Sequence, residues 1–239
     1  DKVSGVLAGL PTVRRTIVVP YVAPTPEASN SKISDIKNAV TLADFMAPHK
    51  PAAIDFVQLP FDHPLFIMFS SGTTGVPKGI VLSQAEIARA CRAKALTYAL
   101  GPDDVVAATS APATIGMFLN VLAPLLWGAR VVLIPEGSGV SPVVETFARH
   151  RVTHYAAYVG FLRLMLEHEN AAEAFAAVRL LGLHGDKLSW VEVARLRRSL
   201  PAQTRLSHDY GLTECSWIAG WILPAACDDS EGTVALGHA

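Results

Sequence analysis

A short stretch rich in hydroxyl groups and glycine, residues 70–79, carries the residue types that bind phosphate. It follows an apolar run at residues 65–69, which predicts a buried strand. Glycines let backbone N–H groups turn toward one point and approach a ligand closely, hydroxyl groups add donors, and Lys78 adds a mobile positive charge. The stretch therefore predicts a phosphate-binding loop at the end of a strand. The alternative is an ordinary surface turn, which Gly, Ser and Thr also favour.

The order of residues in this loop distinguishes it from two well-known phosphate loops. A Walker A loop places its lysine directly before Ser or Thr, whereas Lys78 lies between Pro77 and Gly79. The dinucleotide pattern G-x-G-x-x-G does not match either. The candidate phosphate-binding residues are Ser70, Ser71, Gly72, Thr73, Thr74, Gly75 and Lys78.

Two further groups of polar residues lie downstream. Residues 210–214 read Tyr-Gly-Leu-Thr-Glu, and the carboxylate of Glu214 is the kind of hard oxygen ligand that Mg²⁺ prefers. Residues 183–186 read Leu-His-Gly-Asp, in which the polar side chains of His184 and Asp186 are candidates to contact a ligand. The alternative for these residues is a loop that enters a helix, where the helix dipole favours an acidic side chain. The same two alternatives apply to the pair that precedes residue 210, His208 and Asp209.

Strand and helix patterns alternate along most of the chain, and they indicate how such residues would be positioned. This alternation predicts an α/β fold, with a mostly parallel sheet, flanking helices and right-handed crossovers. Before the loop, we predict a strand at 16–22, a surface loop at 24–35 and a short helix at 40–46. After the loop, we predict strands at 105–109, 130–135, 154–158, 178–183 and 204–207. Helices are predicted at 84–100, 115–127, 142–150, 161–169 and 189–200, with Ser141 and Ser189 as N-caps.

The bulk composition excludes several classes of function. Lys and Arg total 20 and Asp and Glu total 21, so no global positive field points to nucleic acid or an anionic membrane. The most apolar window, residues 117–134, is interrupted by polar residues, proline and glycine, and it predicts a buried helix and a strand rather than a membrane span. Three scattered cysteines fit neither a disulfide framework nor a metal site, so we expect a cytoplasmic setting.

The loop string Ser-Ser-Gly-Thr-Thr-Gly-Val-Pro-Lys-Gly, residues 70–79, resembles the phosphate loop of the adenylate-forming superfamily. That superfamily includes acyl-CoA synthetases, peptide-synthetase adenylation domains and luciferases. Residues 210–214 resemble its aromatic-Gly-x-Thr-Glu segment, and residues 183–186 occupy the place of its small-residue loop beside adenine. The resemblance implies that a small-molecule carboxylic acid is adenylated by ATP with Mg²⁺. It also implies transfer of the acyl group to CoA or to the pantetheine of a carrier protein.

The resemblance also implies roles for individual residues. Tyr210 would stack near the adenine, Thr213 would contact the α-phosphate and Glu214 would help to hold Mg²⁺. The catalytic residues would be Thr213, Glu214 and Lys78. Beyond the phosphate loop, the nucleotide-binding residues would be His184, Gly185, Asp186, Asp209, Tyr210, Gly211 and Thr213.

Two regions of the chain resemble different branches of this superfamily. Residues 15–83 resemble acetoacetyl-CoA synthetase, whereas residues 100–239 resemble a general acyl or peptide-synthetase adenylation domain. Residues 111–120 lack the tryptophans that acetoacetyl-CoA synthetases carry in their acyl-pocket segment. We therefore expect an acid other than acetoacetate, a medium-length or branched apolar acid, with acetoacetate ligation as an alternative.

The resemblance also predicts how the chain relates to a complete enzyme. The ribose-binding Asp, a following Arg, the hinge and the small C-terminal domain with its catalytic Lys are expected to follow residue 239. Residues 1–239 would then be a partial AMP-binding domain, the central part of the large N-terminal domain. A non-catalytic nucleotide-binding or structural segment of a larger assembly is the alternative to an enzyme.

Overall fold

The chain divides into two compact units, Asp1–Gln58 and Leu59–Ala239. A computed structural model describes residues 2–19, 36–53, 57–70, 78–111, 114–225 and 232–236. The first unit contains α1 (Lys2–Ala8), β1 (Thr16–Val18), β2 (Ala39–Thr41) and α2 (Leu42–Met46). Strands β1 and β2 pair in parallel. The predicted strand at 16–22 thus begins where expected, and the predicted helix at 40–46 is shorter because β2 takes its first residues. The predicted surface loop at 24–35 lies outside the described residues.

The second unit begins with an antiparallel hairpin that frames the candidate phosphate loop. Strand β3 (Pro64–Ser70) pairs with β4 (Lys78–Ser83), and Ser70 lies opposite Lys78 in the register. The predicted strand at 65–69 is therefore confirmed, whereas β4 was not predicted. Residues 71–77, which include Ser71, Gly72, Thr73, Thr74 and Gly75, lie outside the described residues.

A six-stranded sheet with helices along it forms the rest of this unit. The helices are α3 (Gln84–Tyr98), α4 (Ile115–Leu126), α5 (Val140–His150), α6 (Val159–Leu166), α7 (Ala171–Phe175) and α8 (Trp190–Ser199). The strands are β5 (Val105–Ala108), β6 (Arg130–Leu133), β7 (His154–Tyr158), β8 (Leu180–His184), β9 (Arg205–Leu212) and β10 (Ser216–Ile222). Their order is β10-β9-β8-β7-β5-β6, and every neighbouring pair is parallel except β9 with β10. The predicted α/β fold with a mostly parallel sheet is confirmed.

Helices cover both faces of the sheet. Because successive residues of a strand point to opposite sides, one strand contributes to the apolar clusters on both faces. In β5, Val105 and Ala107 belong to one apolar cluster, which α5, α6, α7 and α8 complete. Val106 belongs to the other cluster, to which α3 and α4 contribute. None of the helices in the described ranges is long and apolar enough to cross a bilayer. The apolar window at 117–134 forms most of α4, then β6, as predicted.

The structure corrects the sequence analysis at two points along this unit. Helix α5 begins after Gly139, so Ser141 is not its N-cap; its hydroxyl lies 3.0 Å from Nε2 of His168 instead. The last predicted strand, 204–207, extends to Leu212 in β9 and continues into the unpredicted β10. The predicted N-cap Ser189 is present: its hydroxyl accepts a hydrogen bond of 3.2 Å from the backbone N–H of Glu192.

Candidate active site

A cavity of about 900 Å³ lies where the parallel strands β7, β8 and β9 end. Strand β7 ends at Tyr158 and β8 at His184, and both side chains line the cavity. Helix α4 contributes Ile115 and Leu119 from the other side. Loops that follow the carboxyl ends of parallel strands converge at one edge of a sheet, where open α/β sheets bind their ligands.

The structure brings together two of the three groups that the sequence analysis singled out. The cavity is lined by His184, Gly185, Asp186, Asp209, Tyr210 and Gly211. Thr213 and Glu214 are not in the lining; they lie in the turn between β9 and β10, where Thr213 is half-buried and Glu214 is exposed. The backbones of Ser70, the last residue of β3, and Lys78, the first residue of β4, lie opposite each other at the loop end of the β3–β4 hairpin. The functional roles of all these residues stay predictions.

The loop after β8 has a backbone conformation that requires glycine. Gly185 has φ of +89°, and a Cβ atom at this position would lie 2.3 Å from the ring of Tyr158. The Tyr158 ring in turn meets the imidazole of His184 edge to face, with 4.5 Å between the ring centroids. Burial lowers the pKa of His184 below its usual value, and the charge of Lys94 acts in the same direction. His184 is therefore neutral near pH 7 and presents an uncharged imidazole to the cavity.

Asp209 is held by hydrogen bonds from within the protein. Its Oδ1 accepts a bond of 2.5 Å from the Ser207 hydroxyl, and its Oδ2 accepts one from the phenol of Tyr98. Burial, followed by the charge of Asp209, raises the pKa of Tyr98 well above its usual value, so the phenol stays protonated as the donor. Gly182 makes room for this contact, since a Cβ there would lie 1.7 Å from the Tyr98 oxygen. Asp209 thus positions α3 against β9 as well as lining the cavity.

Lys94 is a cavity residue that the sequence analysis missed. It is only 6% exposed, it lines the cavity, and its ammonium group donates to Oδ1 of Asn120 on α4. Burial lowers the pKa of Lys94 to about 8, while the charge of Asp209 opposes that shift. The sequence did contain a signal for it. Lys94 continues the buried stripe of α3, whose other members are Ile87, Ala90, Cys91, Ala95 and Tyr98.

The turn that carries Thr213 and Glu214 is fixed to α3 by an arginine. The Arg89 guanidinium donates to the backbone carbonyls of Cys215 at 3.3 Å and Trp217 at 3.4 Å. It also forms a two-pronged ion pair with Glu86, with contacts of 2.6 and 2.9 Å, and the hydrogen bond from Arg89 lowers the pKa of Glu86. The hairpin therefore has a defined position on the helix next to the cavity.

The described residues contain no cluster of three or more His, Cys, Asp or Glu side chains that could hold a metal ion. Glu214 stands as a single exposed carboxylate near the cavity. One carboxylate is compatible with Mg²⁺, which is usually bound by one or two carboxylates together with water and substrate phosphate oxygens. The donor set fits an ion that arrives with a nucleotide rather than one held in a protein cage.

Comparison with known proteins confirms both resemblances. Acetoacetyl-CoA synthetase of Mus musculus is 49% identical over 86 residues, which are 35% of this chain and 12% of that protein. Tyrocidine synthase 3 of Brevibacillus parabrevis is 30% identical over 153 residues, 63% of this chain and 2% of that protein. The chain thus spans only a small part of the curated relatives that it matches.

The fold is shared with solved structures at low sequence identity. The NpsA N-terminal subdomain of Klebsiella oxytoca, in complex with 3-hydroxybenzoyl-AMSN, matches with a TM-score of 0.69 and 16% identity. That match covers 98% of this chain and 70% of the solved NpsA subdomain chain. The family model described as AMP-binding enzyme matches residues 3–237, nearly the whole chain. The chain therefore belongs to the AMP-binding enzyme family.

Proposed function

We propose that this chain is the nucleotide- and acid-binding part of an ATP-dependent acyl-adenylating ligase. The observation that carries the proposal is the convergence of residues 184–186 and 209–211 on one cavity, in a chain of the AMP-binding family. A cavity of about 900 Å³ is large enough for a ligand of the size of an acyl nucleotide. Its place at the carboxyl ends of parallel strands is where such sheets bind ligands.

The proposed first step joins the acid to AMP. A carboxylate oxygen attacks the α-phosphorus of ATP, the bond to the β-phosphate oxygen breaks, and pyrophosphate leaves. The loop at residues 70–79 and Lys78 would hold the β- and γ-phosphates and stabilise the charge that builds on the leaving group. Tyr210 would stack on the adenine and Thr213 would orient the α-phosphate. Glu214 would hold the Mg²⁺ that neutralises phosphate charge.

The second step would transfer the acyl group to a thiol. The sulfur of CoA or of a carrier-protein pantetheine attacks the acyl carbonyl carbon, and AMP leaves as the carbon–oxygen bond breaks. For the acid, the apolar wall formed by Ile115 and Leu119 favours a carbon chain longer than that of acetoacetate. Acetoacetate is the second candidate, and the match to acetoacetyl-CoA synthetase of Mus musculus favours it.

Acid-dependent exchange of pyrophosphate into ATP tests this function in the protein that carries this chain. We expect Glu214→Ala to lower the exchange rate by about 10²-fold or more, because a preorganised charge-stabilising group is lost. Lys78→Ala should cost less, since neighbouring donors of the loop replace part of its contribution. Glu145→Ala, which removes an exposed carboxylate from α5, is the matched control and should keep the wild-type rate.

An unchanged rate in the Glu214 variant would refute the assignment of this residue. The non-catalytic alternative makes a different prediction, namely that ATP binds, as measured by calorimetry, while no acid supports exchange. A panel of acids in the same assay separates the two substrate candidates. If acetoacetate has the highest kcat/KM, the second candidate is correct.

A further inference from the structure

We propose that Lys94 selects an acid that carries a second hydrogen-bond-accepting oxygen, an oxo group or a second carboxylate, remote from the carboxylate that is adenylated. This inference rests on the proposed function and names the substrate class of the same site. Lys94 contributes a buried, positively charged donor to a lining that also holds the apolar side chains of Ile115 and Leu119, and neither the phosphate loop nor residues 210–214 contain it.

The position of Lys94 within α3 is the first observation behind this proposal. The side chain lies on the buried face of the helix and is 6% exposed, yet it lines the cavity. A lysine in such a place keeps its charged group away from bulk water, which is costly unless the charge is paired or hydrogen-bonded. A ligand bound in the cavity can therefore supply a group that compensates the buried charge of Lys94.

The contacts of the ammonium group leave donors for a ligand. An ammonium has three N–H donors, and one of them goes to Oδ1 of Asn120, which also lines the cavity. The ion pairs found among the described residues do not include Lys94. Asp209, whose charge acts on Lys94, accepts its hydrogen bonds from Ser207 and Tyr98. The protein thus satisfies the ammonium only in part.

The neighbouring wall indicates what the rest of the acid looks like. Ile115 and Leu119 are apolar, and Gly116 has no atom within 4 Å of where a side chain would begin. A hydrocarbon chain fits this wall, and its accepting oxygen would meet Lys94. A site built to hydrogen-bond a substrate group rejects an analogue without that group, because the buried donor is then left unpaired. An unsubstituted aliphatic acid is therefore the analogue that this site should reject.

Binding of stable acyl-adenylate mimics tests the inference without requiring turnover. We would measure Kd by calorimetry for acylsulfamoyl adenosines that carry hexanoyl, 3-oxohexanoyl, 5-oxohexanoyl or adipoyl groups. In the wild-type protein, the better of the oxo and carboxyl probes should bind at least about tenfold more tightly than the hexanoyl probe, as expected for a hydrogen bond to a charged group. Whether an oxo or the adipoyl probe is preferred identifies the accepting group.

Two variants on the same helix make the test specific. Lys94→Met keeps the length of the side chain and removes its donors, so the preference should disappear. Arg92→Met removes an exposed cation from α3, so the preference should remain. Circular dichroism checks that each variant folds. If Lys94→Met does not fold, Lys94→Gln takes its place; it retains an N–H donor without the charge, so the preference for the adipoyl probe should fall.

The outcomes separate this inference from the function on which it rests. Equal binding of all the probes by the wild-type protein, or an unchanged preference in Lys94→Met, would overturn the role of Lys94 and leave adenylation standing. Failure of every probe to bind would contradict both proposals. Loss of the preference in Lys94→Met together with its retention in Arg92→Met would support the role of Lys94.

Discussion

At the scale of single residues, the polar groups on the inner side of the cavity form one connected system. Tyr98 donates to Asp209, and the Lys94 ammonium lies 5.0 Å from the centroid of the Tyr98 ring. Asn120 accepts from Lys94, which links α4 to the same group. Buried polar groups of this kind are stable only when their hydrogen bonds are satisfied. A change at one member should therefore affect the binding site and the stability of the fold together.

The buried charge of Lys94 predicts a pH dependence of stability. Its pKa is lowered from 10.5 to about 8 by burial, so between these values the folded chain holds fewer protons than the unfolded chain. The free energy of unfolding of the wild type should therefore rise with pH across this window, relative to Lys94→Met, by on the order of 3 kcal/mol. Urea denaturation at several pH values from 7 to 10 measures this difference.

Arg92→Met is the control for that experiment, because Arg92 is exposed on the same helix. The difference in free energy of unfolding between Arg92→Met and the wild type should stay constant over the same pH range. A constant difference for Lys94→Met as well would show that the ammonium does not lose its proton at a lowered pKa. Since Tyr98 is present in all three proteins, its own titration above its usual range largely cancels in the comparison.

At the scale of elements, the N-termini of α8 and α5 show that a local sequence pattern predicts where one helix begins but not where the other does. Ser189 caps α8, whereas Ser141, which the sequence pattern also predicts as a cap, lies inside α5. Ser189→Ala should lower the free energy of unfolding by about 1 kcal/mol, because a backbone N–H of the first turn loses its acceptor. Ser141→Ala should cost clearly less, since its hydroxyl contacts the ring of His168 and does not cap the helix. Thermal or urea denaturation of the two variants measures both effects, and equal losses would contradict the assigned helix start.

The packing of helix α3 on strand β8 depends on Gly182, a strand residue without a side chain. A Cβ at Gly182 would lie 1.7 Å from the Tyr98 oxygen and 2.6 Å from Oδ2 of Asp209. Gly182→Ala should therefore displace the phenol and lower the free energy of unfolding by about 2 kcal/mol or more, through overpacking and loss of the hydrogen bond. Gly160→Ala in α6 is the matched control, because no atom lies within 4 Å of that site. Equal stability of the two variants, measured in urea, would argue against the packing of Tyr98 on β8.

At the scale of the whole molecule, the two units differ in how much they bury. Both apolar clusters consist of residues between Leu82 and Val234, all in the second unit. In the first unit, the side chains whose burial is described are half-buried or exposed, and none is fully buried. Burial of apolar surface is the main source of folding free energy. The stability of the chain should therefore reside in Leu59–Ala239.

Native-state hydrogen exchange on the full chain tests this distribution. The slowest amides should lie in β5, β7 and β8, whose strands have parallel neighbours on both sides in the sheet. The amides of β1 and β2 should exchange much faster, because they form a two-stranded sheet with no buried side chain among its described residues. Equal protection of β1 and β8 would show that the first unit takes part in the same cooperative core.

The sequence by itself determined the family, the α/β class and most of the parallel strands. These features depend on local patterns, because alternation of helix and strand is visible in windows of a few residues. The same holds for Ser189, whose hydroxyl bonds a backbone group only three residues away. The residues later found together at 184–186 and 209–211 were also singled out, because their segments of the chain resemble short motifs of the family.

Only the tertiary structure decided the features that depend on residues distant in the sequence. One of the two donors to Asp209 is Tyr98, 111 residues earlier, and no local pattern encodes that hydrogen bond. Lys94 enters the cavity because packing of α3 on the sheet turns its buried stripe toward β9, an orientation that helical spacing alone leaves open. The antiparallel β10 likewise forms by pairing along the edge of β9. Long-range packing selects among the arrangements that local preferences permit, and for that reason the place of Lys94 in the cavity could not be assigned from sequence.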